Sequence, residues 1–66
     1  MYSEELQEQT REFFKEMPMG LMKNYDGRFG VCILKDEKYI ITDRDTRDIY
    51  TYLSIEEFIQ DKWVID

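Results

Sequence analysis

Few side chains in this sequence have the chemistry that catalysis at neutral pH usually needs. The chain contains no histidine, the side chain that most often transfers protons near pH 7. Its single cysteine, Cys32, lies between Val31 and Ile33, and an apolar setting raises the pKa of a thiol and leaves it unreactive. We therefore expect Cys32 to be structural and the protein not to be an enzyme; a catalytic site would have to form between subunits.

Three aspartates, Asp43, Asp45 and Asp48, have part of the spacing of a calcium-binding loop. Such a loop also needs an acid or amide at its fifth position and glycine at its sixth, where this chain has Arg47 and Asp48. The glutamates near the start of the chain fit a solvated helix face better than a set of metal ligands. The glycines lack the spacing of a phosphate-binding loop. We expect no metal and no cofactor.

A basic and aromatic run at residues 28–31 is similar to the strands with which some RNA-binding sheets stack bases. The charge argues against that function, because 15 acidic and 9 basic side chains give a net charge of −6, which phosphates repel. We expect no direct binding of nucleic acid. An alternative is that an acidic surface imitates nucleic acid and inhibits a basic DNA- or RNA-binding protein. The residues for that alternative are Glu4, Glu8, Glu12, Asp43, Asp45 and Asp48.

The length and composition predict one small globular domain over residues 1–66. Hydrophobic residues make up 42% of the chain and aromatic residues 15%, which is enough apolar material for a core. An unpaired cysteine suits a reducing compartment, and no apolar run is long enough to cross a bilayer, so we expect a cytoplasmic protein without membrane contact. A core of this size rarely supplies more than about 3–5 kcal/mol, which makes self-association plausible.

The first element is predicted to be an amphipathic helix. Leu6, Thr10, Phe13, Phe14 and Met17 recur at helical spacing. Ser3 is the expected N-cap, and Pro18 ends the helix because the residue before a proline is disfavoured in helical conformation.

Three segments then have the β-branched and aromatic composition of strands: residues 28–34, 39–43 and 49–53. Residues 21–25 are a fourth candidate, because the Asp26-Gly27 turn favours a hairpin. Near the end, Ser54 and Glu57 form a capping box for a short helix. Val64 and Ile65 could extend from it to a sheet edge. The sequence therefore predicts an α+β fold: an N-terminal helix, an antiparallel meander of three or four strands and a short C-terminal helix, with the helices packed on one sheet face.

Strand alternation divides the sheet residues between two faces, and a hydrophobic staple decides which face the helices cover. Leu53 and Phe58 occupy the two staple positions, so Leu53 is assigned to the helical core. The residues expected on its face are Phe29, Val31, Ile33, Ile40, Thr42, Ile49 and Thr51. The opposite face then carries the predicted partner-binding residues, which are Cys32, Leu34, Tyr39, Ile41, Tyr50 and Tyr52.

This second face is apolar and rich in tyrosine, whereas a solvated sheet face should alternate with polar residues. Three coverings remain open: one of the helices, a second copy of the chain, or a different protein. We expect a non-enzymatic, acidic interaction or regulatory module that uses this face to form a homodimer or to bind another protein.

Overall fold

A computed structural model describes residues 3–66 and shows helix α1 at their N-terminal end. Helix α1 spans Glu4–Glu16. The Ser3 Oγ accepts a hydrogen bond from the Leu6 N–H at 3.2 Å, which confirms Ser3 as the N-cap. The helix ends at Met17, whose backbone is extended as expected for a residue before proline.

Residues 3–66 contain a single antiparallel sheet of five strands, in the order β4-β3-β2-β1-β5. Their bounds are Met19–Asn24 for β1, Phe29–Lys35 for β2, Lys38–Asp43 for β3, Ile49–Tyr52 for β4 and Trp63–Ile65 for β5. The candidate strand at residues 21–25 is therefore real. It begins earlier than predicted, at Met19, directly after the proline.

A second helix, α2, spans Ile55–Gln60 and precedes β5. The Ser54 Oγ accepts a hydrogen bond from the Glu57 N–H at 3.2 Å, which confirms the predicted N-cap. After α2 the chain turns at Lys62, which has a positive φ of 73°. It then pairs with β1 at the sheet edge. The architecture is the predicted α+β fold, and the sheet has one strand more than the upper estimate.

The helices α1 and α2 pack on the same face of the sheet. The Phe14 ring of α1 lies 5.5 Å from the Phe58 ring of α2, and both contact Tyr39 of β3 edge to face, at 5.8 and 5.6 Å. These three rings join the three elements in one cluster. Its buried members are Phe14, Met22, Cys32, Ile41, Tyr52, Phe58, Ile59 and Trp63.

Polar contacts fasten the last strand to the helical layer. Thr10 is fully buried, and its hydroxyl donates to the Leu6 carbonyl at 2.8 Å while accepting from the Ile65 N–H at 3.2 Å. Asn24 of β1 donates from Nδ2 to the Asp61 carbonyl at 3.0 Å. The Thr10 hydroxyl thus gives the Ile65 N–H an acceptor, and the Asn24 amide gives the Asp61 carbonyl a donor. Within the described range, neither helix has the length or hydrophobicity to span a membrane.

Candidate functional site: the open sheet face

The face that the helices cover is the one predicted to bind a partner, so the prediction of the covered face is wrong. Cys32 and Ile41 are fully buried beneath the helices, and Tyr52 keeps only 9% of its surface exposed. Tyr39 and Tyr50 are half-buried against the same core. Of the six predicted partner-binding residues, Leu34 alone is well exposed, at 37%, and it lies outside the buried cluster.

The error comes from the hydrophobic staple. Leu53 is 67% exposed, so it does not pack against Phe58 in the core. The ring of Phe58 lies instead among Phe14, Tyr39 and Tyr52. With Leu53 outside, the strand residues assigned to its face are also outside.

We call the uncovered side of β1–β4 the open face. Strand pairing places Met19 opposite Ile33, Leu21 opposite Val31 and Ile33 opposite Ile40, so these side chains share one side of the sheet. The apolar members of the open face are Met19, Leu21, Phe29, Val31, Ile33, Ile40 and Ile49. Five of them, Met19, Leu21, Phe29, Ile33 and Ile49, are between 42% and 66% exposed.

The polar residues of the open face are cationic or neutral. Alternation puts Lys23, Lys35 and Lys38 on this side, together with Thr42 and Thr51. None of the open-face positions of β1–β4 holds a carboxylate. The open face is therefore an apolar surface with lysines toward its ends.

The negative charge of the protein is concentrated on the opposite layer. The helices α1 and α2 contain seven carboxylates and two cations, a net charge of −5. The remainder of the sequence has eight acids and seven cations, a net charge of −1. The molecule is thus acidic on its helical side and nearly neutral elsewhere.

A cleft opens at the end of the sheet where β3 leads into β4. It is about 350 Å³ in volume and is lined by Val31, Thr42, Asp43, Arg44 and Arg47. Both arginines are exposed, and neither side chain forms an ion pair with any residue in the described part of the chain. The cleft therefore offers two available guanidinium groups beside the apolar open face.

The loop that carries these arginines is held in place by Asp43. This residue is buried, and its Oδ1 accepts hydrogen bonds from the N–H groups of Asp45 at 2.8 Å and Thr46 at 3.0 Å. The backbone N–H of Thr46, followed by that of Asp45, lowers the pKa of the Asp43 carboxyl. Asp43 is thus hydrogen-bonded within the loop and cannot contact a partner. The nucleic-acid-mimic hypothesis required Asp43 to make such a contact.

Arg28 is similarly occupied, although it begins the run that is similar to RNA-binding strands. Its Nε donates to Asp26 at 2.7 Å and its Nη1 donates to the Tyr50 hydroxyl at 2.8 Å. Its guanidinium carbon lies 5.0 Å from the centroid of the Trp63 ring. These contacts give Arg28 a structural role on the helical side of the sheet.

A second cavity, about 240 Å³ in volume, lies between α1, α2 and β5. Two of its three charged side chains bind each other: Arg11 donates to Glu56 through Nε at 2.6 Å and through Nη2 at 3.0 Å. This bidentate pair raises the pKa of Arg11 and lowers that of Glu56. The pair joins the two helices and leaves neither charge unpaired for a ligand. The third charged side chain, that of Lys62, has its Nζ 5.9 Å from the centroid of the Tyr25 ring.

Cys32 and Tyr52 have a thiol and a hydroxyl that could take part in chemistry, and both residues are buried in the core. Burial raises the pKa of the Cys32 thiol to about 12, which keeps it protonated and unreactive at neutral pH. Tyr52 donates its hydroxyl to Asp61 at 2.5 Å, and burial, followed by this bond, raises the pKa of Tyr52. In residues 3–66, no group of three histidine, cysteine, aspartate or glutamate side chains is arranged to hold a metal ion.

Comparison with known proteins identifies no relative, since no protein-family model, curated protein or solved structure matches this chain. The open face and its adjoining cleft are therefore interpreted from their own geometry.

Proposed function

We propose that the protein is a small, non-enzymatic interaction module that self-associates by packing the open face of one copy against the open face of another. The observation that carries this proposal is the exposure of the apolar residues that β1–β4 place on one side of the sheet. Monomeric proteins rarely leave a large contiguous apolar patch in water. The buried, unpaired Cys32 suits a cytoplasmic setting for such a module.

The flat shape of the molecule suits a dimer of this kind. The protein measures 28 by 27 Å in its two longer extents and 16 Å in its shortest. A standard protein interface buries about 800 Å² on each partner. Four strands about 4.8 Å apart and about 20 Å long give the open face roughly 300–400 Å², so the loops at its ends must also contribute to the contact.

Charge also favours contact between two open faces over contact between two helical layers. Packing two open faces together leaves the acidic helices on opposite outer surfaces, and the lysines of each open face lie toward its ends, where solvent screens their repulsion. This arrangement avoids the repulsion that any contact between the two helical layers would cause. A symmetric pair would use the same patch on both subunits.

A pair of neighbouring residues provides the test. Ile33 and Leu34 are adjacent in β2, point to opposite sides of the sheet and are similarly exposed, at 45% and 37%. We expect light scattering to give a dimer mass for the natural protein at micromolar concentration. The Ile33→Glu variant should be a folded monomer, because it places a carboxylate in the centre of the contact.

The matched control is Leu34→Glu, which introduces the same charge into the same strand on the side away from the interface. It should remain a dimer. A natural protein that stays monomeric at several hundred micromolar would contradict self-association and would point to a different protein as the partner. Loss of the dimer in Leu34→Glu but not in Ile33→Glu would show that the contact lies on the helix-covered side of the sheet, which would contradict the proposal.

A second candidate function is inhibition of a basic protein by the acidic helical layer, which the concentration of charge on α1 and α2 favours. Polylysine is a suitable probe. Polylysine binding should weaken steeply with added salt. The Glu4→Gln substitution on α1 should weaken it more than the Asp45→Asn substitution in the β3–β4 loop. Binding that is insensitive to salt would contradict this function.

A further inference from the structure

The two ends of β3 carry complementary features. At one end, Asp36 and Glu37 form the two-residue turn between β2 and β3, beyond the last strand pair of Lys35 and Lys38. Both turn residues have positive φ, 52° and 63°, as a tight type I′ hairpin turn requires. Their carboxylates are exposed, and within residues 3–66 neither forms an ion pair.

At the other end of β3 lies the cleft with the two available arginines, Arg44 and Arg47. Its loop is well fixed, because the Arg44 N–H donates to the Phe29 carbonyl at 2.9 Å and the Arg47 N–H donates to the Asp43 carbonyl at 3.0 Å. One end of the strand thus projects two exposed carboxylates beyond Lys35 and Lys38, and the other is a concave site with two exposed guanidinium groups in a loop that also contains Asp45 and Asp48. The six residues of β3 separate them by about 17 Å.

Twofold symmetry can bring these two features together. In a face-to-face pair, the twofold axis lies between the two sheets and parallel to them. If this axis passes over the middle of β3 at a steep angle to the strand, the two copies of β3 run in opposite directions. The turn of each copy then lies over the cleft of the other, and stacked sheets are about 10 Å apart, a gap that arginine and glutamate side chains can bridge. Each contact occurs twice in the pair.

Resting on the proposed function, we propose that the β2–β3 turn of each copy docks in the cleft of the other, with Asp36 and Glu37 bound by Arg44 and Arg47. The guanidinium fork suits a carboxylate in bidentate geometry, which fixes orientation as well as attraction. The apolar open face supplies most of the association, and the turn-to-cleft contact sets the relative direction of the two sheets.

Charge reversal tests this pairing in the full chain. Arg47→Glu and Glu37→Arg should each weaken self-association about tenfold or more, because each homodimer then has like charges at both of its contacts. Mixing the two variants should restore affinity to within about threefold of the natural protein. In the mixed pair, one contact is natural and the other has its charges exchanged, so both are attractive.

The matched control for Arg47→Glu is Lys15→Glu, which makes the same change in net charge on the outer side of α1. It should alter self-association less than about threefold, since Lys15 lies on the layer remote from the contact. Affinities would come from sedimentation equilibrium, with circular dichroism confirming that each variant folds.

The outcomes separate this inference from the proposed function. If the natural protein is a dimer and neither charge reversal weakens it, the turn-to-cleft contact is wrong while the open-face dimer stands. Weakening in both variants without recovery in the mixture would also overturn the pairing. If the natural protein does not self-associate at all, the proposed function fails, and this inference fails with it.

Discussion

The most informative stability test compares Ile40 and Ile41, which are adjacent in β3 and point to opposite sides of the sheet. Ile41 is fully buried beneath the helices, whereas Ile40 is partly exposed on the open face. The perturbation is Ile→Val at each position, which keeps the β-branched side chain and removes one carbon. Any difference between the two variants therefore reports burial and not strand propensity.

The expected magnitudes follow from that burial. Ile→Val in a packed core costs about 0.5–1.5 kcal/mol, and we expect Ile41→Val to lie near the upper end because the side chain has no exposed surface. Ile40→Val should cost less than about 0.5 kcal/mol. Against a total stability of about 3–5 kcal/mol, a difference of about 1 kcal/mol is readily measured.

Urea unfolding followed by tryptophan fluorescence is a suitable assay, since Trp63 is buried in the same core. Both substitutions should be made in the Ile33→Glu background, so that loss of the dimer does not contribute to the free energy of unfolding. Equal costs at the two positions, or a larger cost for Ile40→Val, would refute the assignment of the covered face.

Three further predictions concern groups in the covered core. Cys32 should react with a thiol reagent only on unfolding, because burial raises its pKa to about 12; rapid labelling of the folded protein would contradict this. The raised pKa of Tyr52 contributes stability that is present below pH 10.0 and lost as the pH rises above it, so Tyr52→Phe should flatten the alkaline fall in unfolding free energy. Thr10→Val should cost about 1–3 kcal/mol in urea unfolding, because the Ile65 N–H loses its acceptor; an unchanged midpoint would remove Thr10 from this role.

Most of the fold was predictable because its signals are local. Ser3, Pro18 and Ser54 mark helix ends through backbone hydrogen bonds and steric limits that act within a few residues. The Asp26-Gly27 turn likewise depends on one positive φ, which Gly27 adopts at 98°. Such features need no knowledge of distant packing, and the structure confirms them.

The choice of covered face was not predictable from alternation, because both faces of the sheet are apolar. A further signal was available in the small residues. Gly20, Gly30 and Cys32 share the covered face through strand pairing. A Cβ atom at Gly20 would lie 2.5 Å from the Phe13 ring, and one at Gly30 would lie 2.9 Å from the Thr42 carbonyl oxygen. Small side chains thus mark the side on which bulky rings pack.

The availability of the two cleft arginines was also not predictable from the sequence, because it depends on the tertiary structure. The Arg44 to Asp48 loop appears self-neutralising in the sequence, because its arginines and aspartates alternate. In the structure, Asp43 binds the backbone of the loop, and both arginines face outward unpaired among the described residues. Linear spacing gives no indication of this separation, since it arises from the direction in which each side chain leaves the turn.

Self-association through the open face is measured most simply by a dilution series of the natural protein followed by isoleucine methyl NMR. The isoleucines sample both faces: Ile33, Ile40 and Ile49 lie on the open face, whereas Ile41 and Ile59 are buried in the core. If two copies pack through their open faces, dilution shifts the signals of the first three and leaves those of the other two unchanged. Signals that are all independent of concentration, or changes confined to Ile41 and Ile59, would contradict this packing.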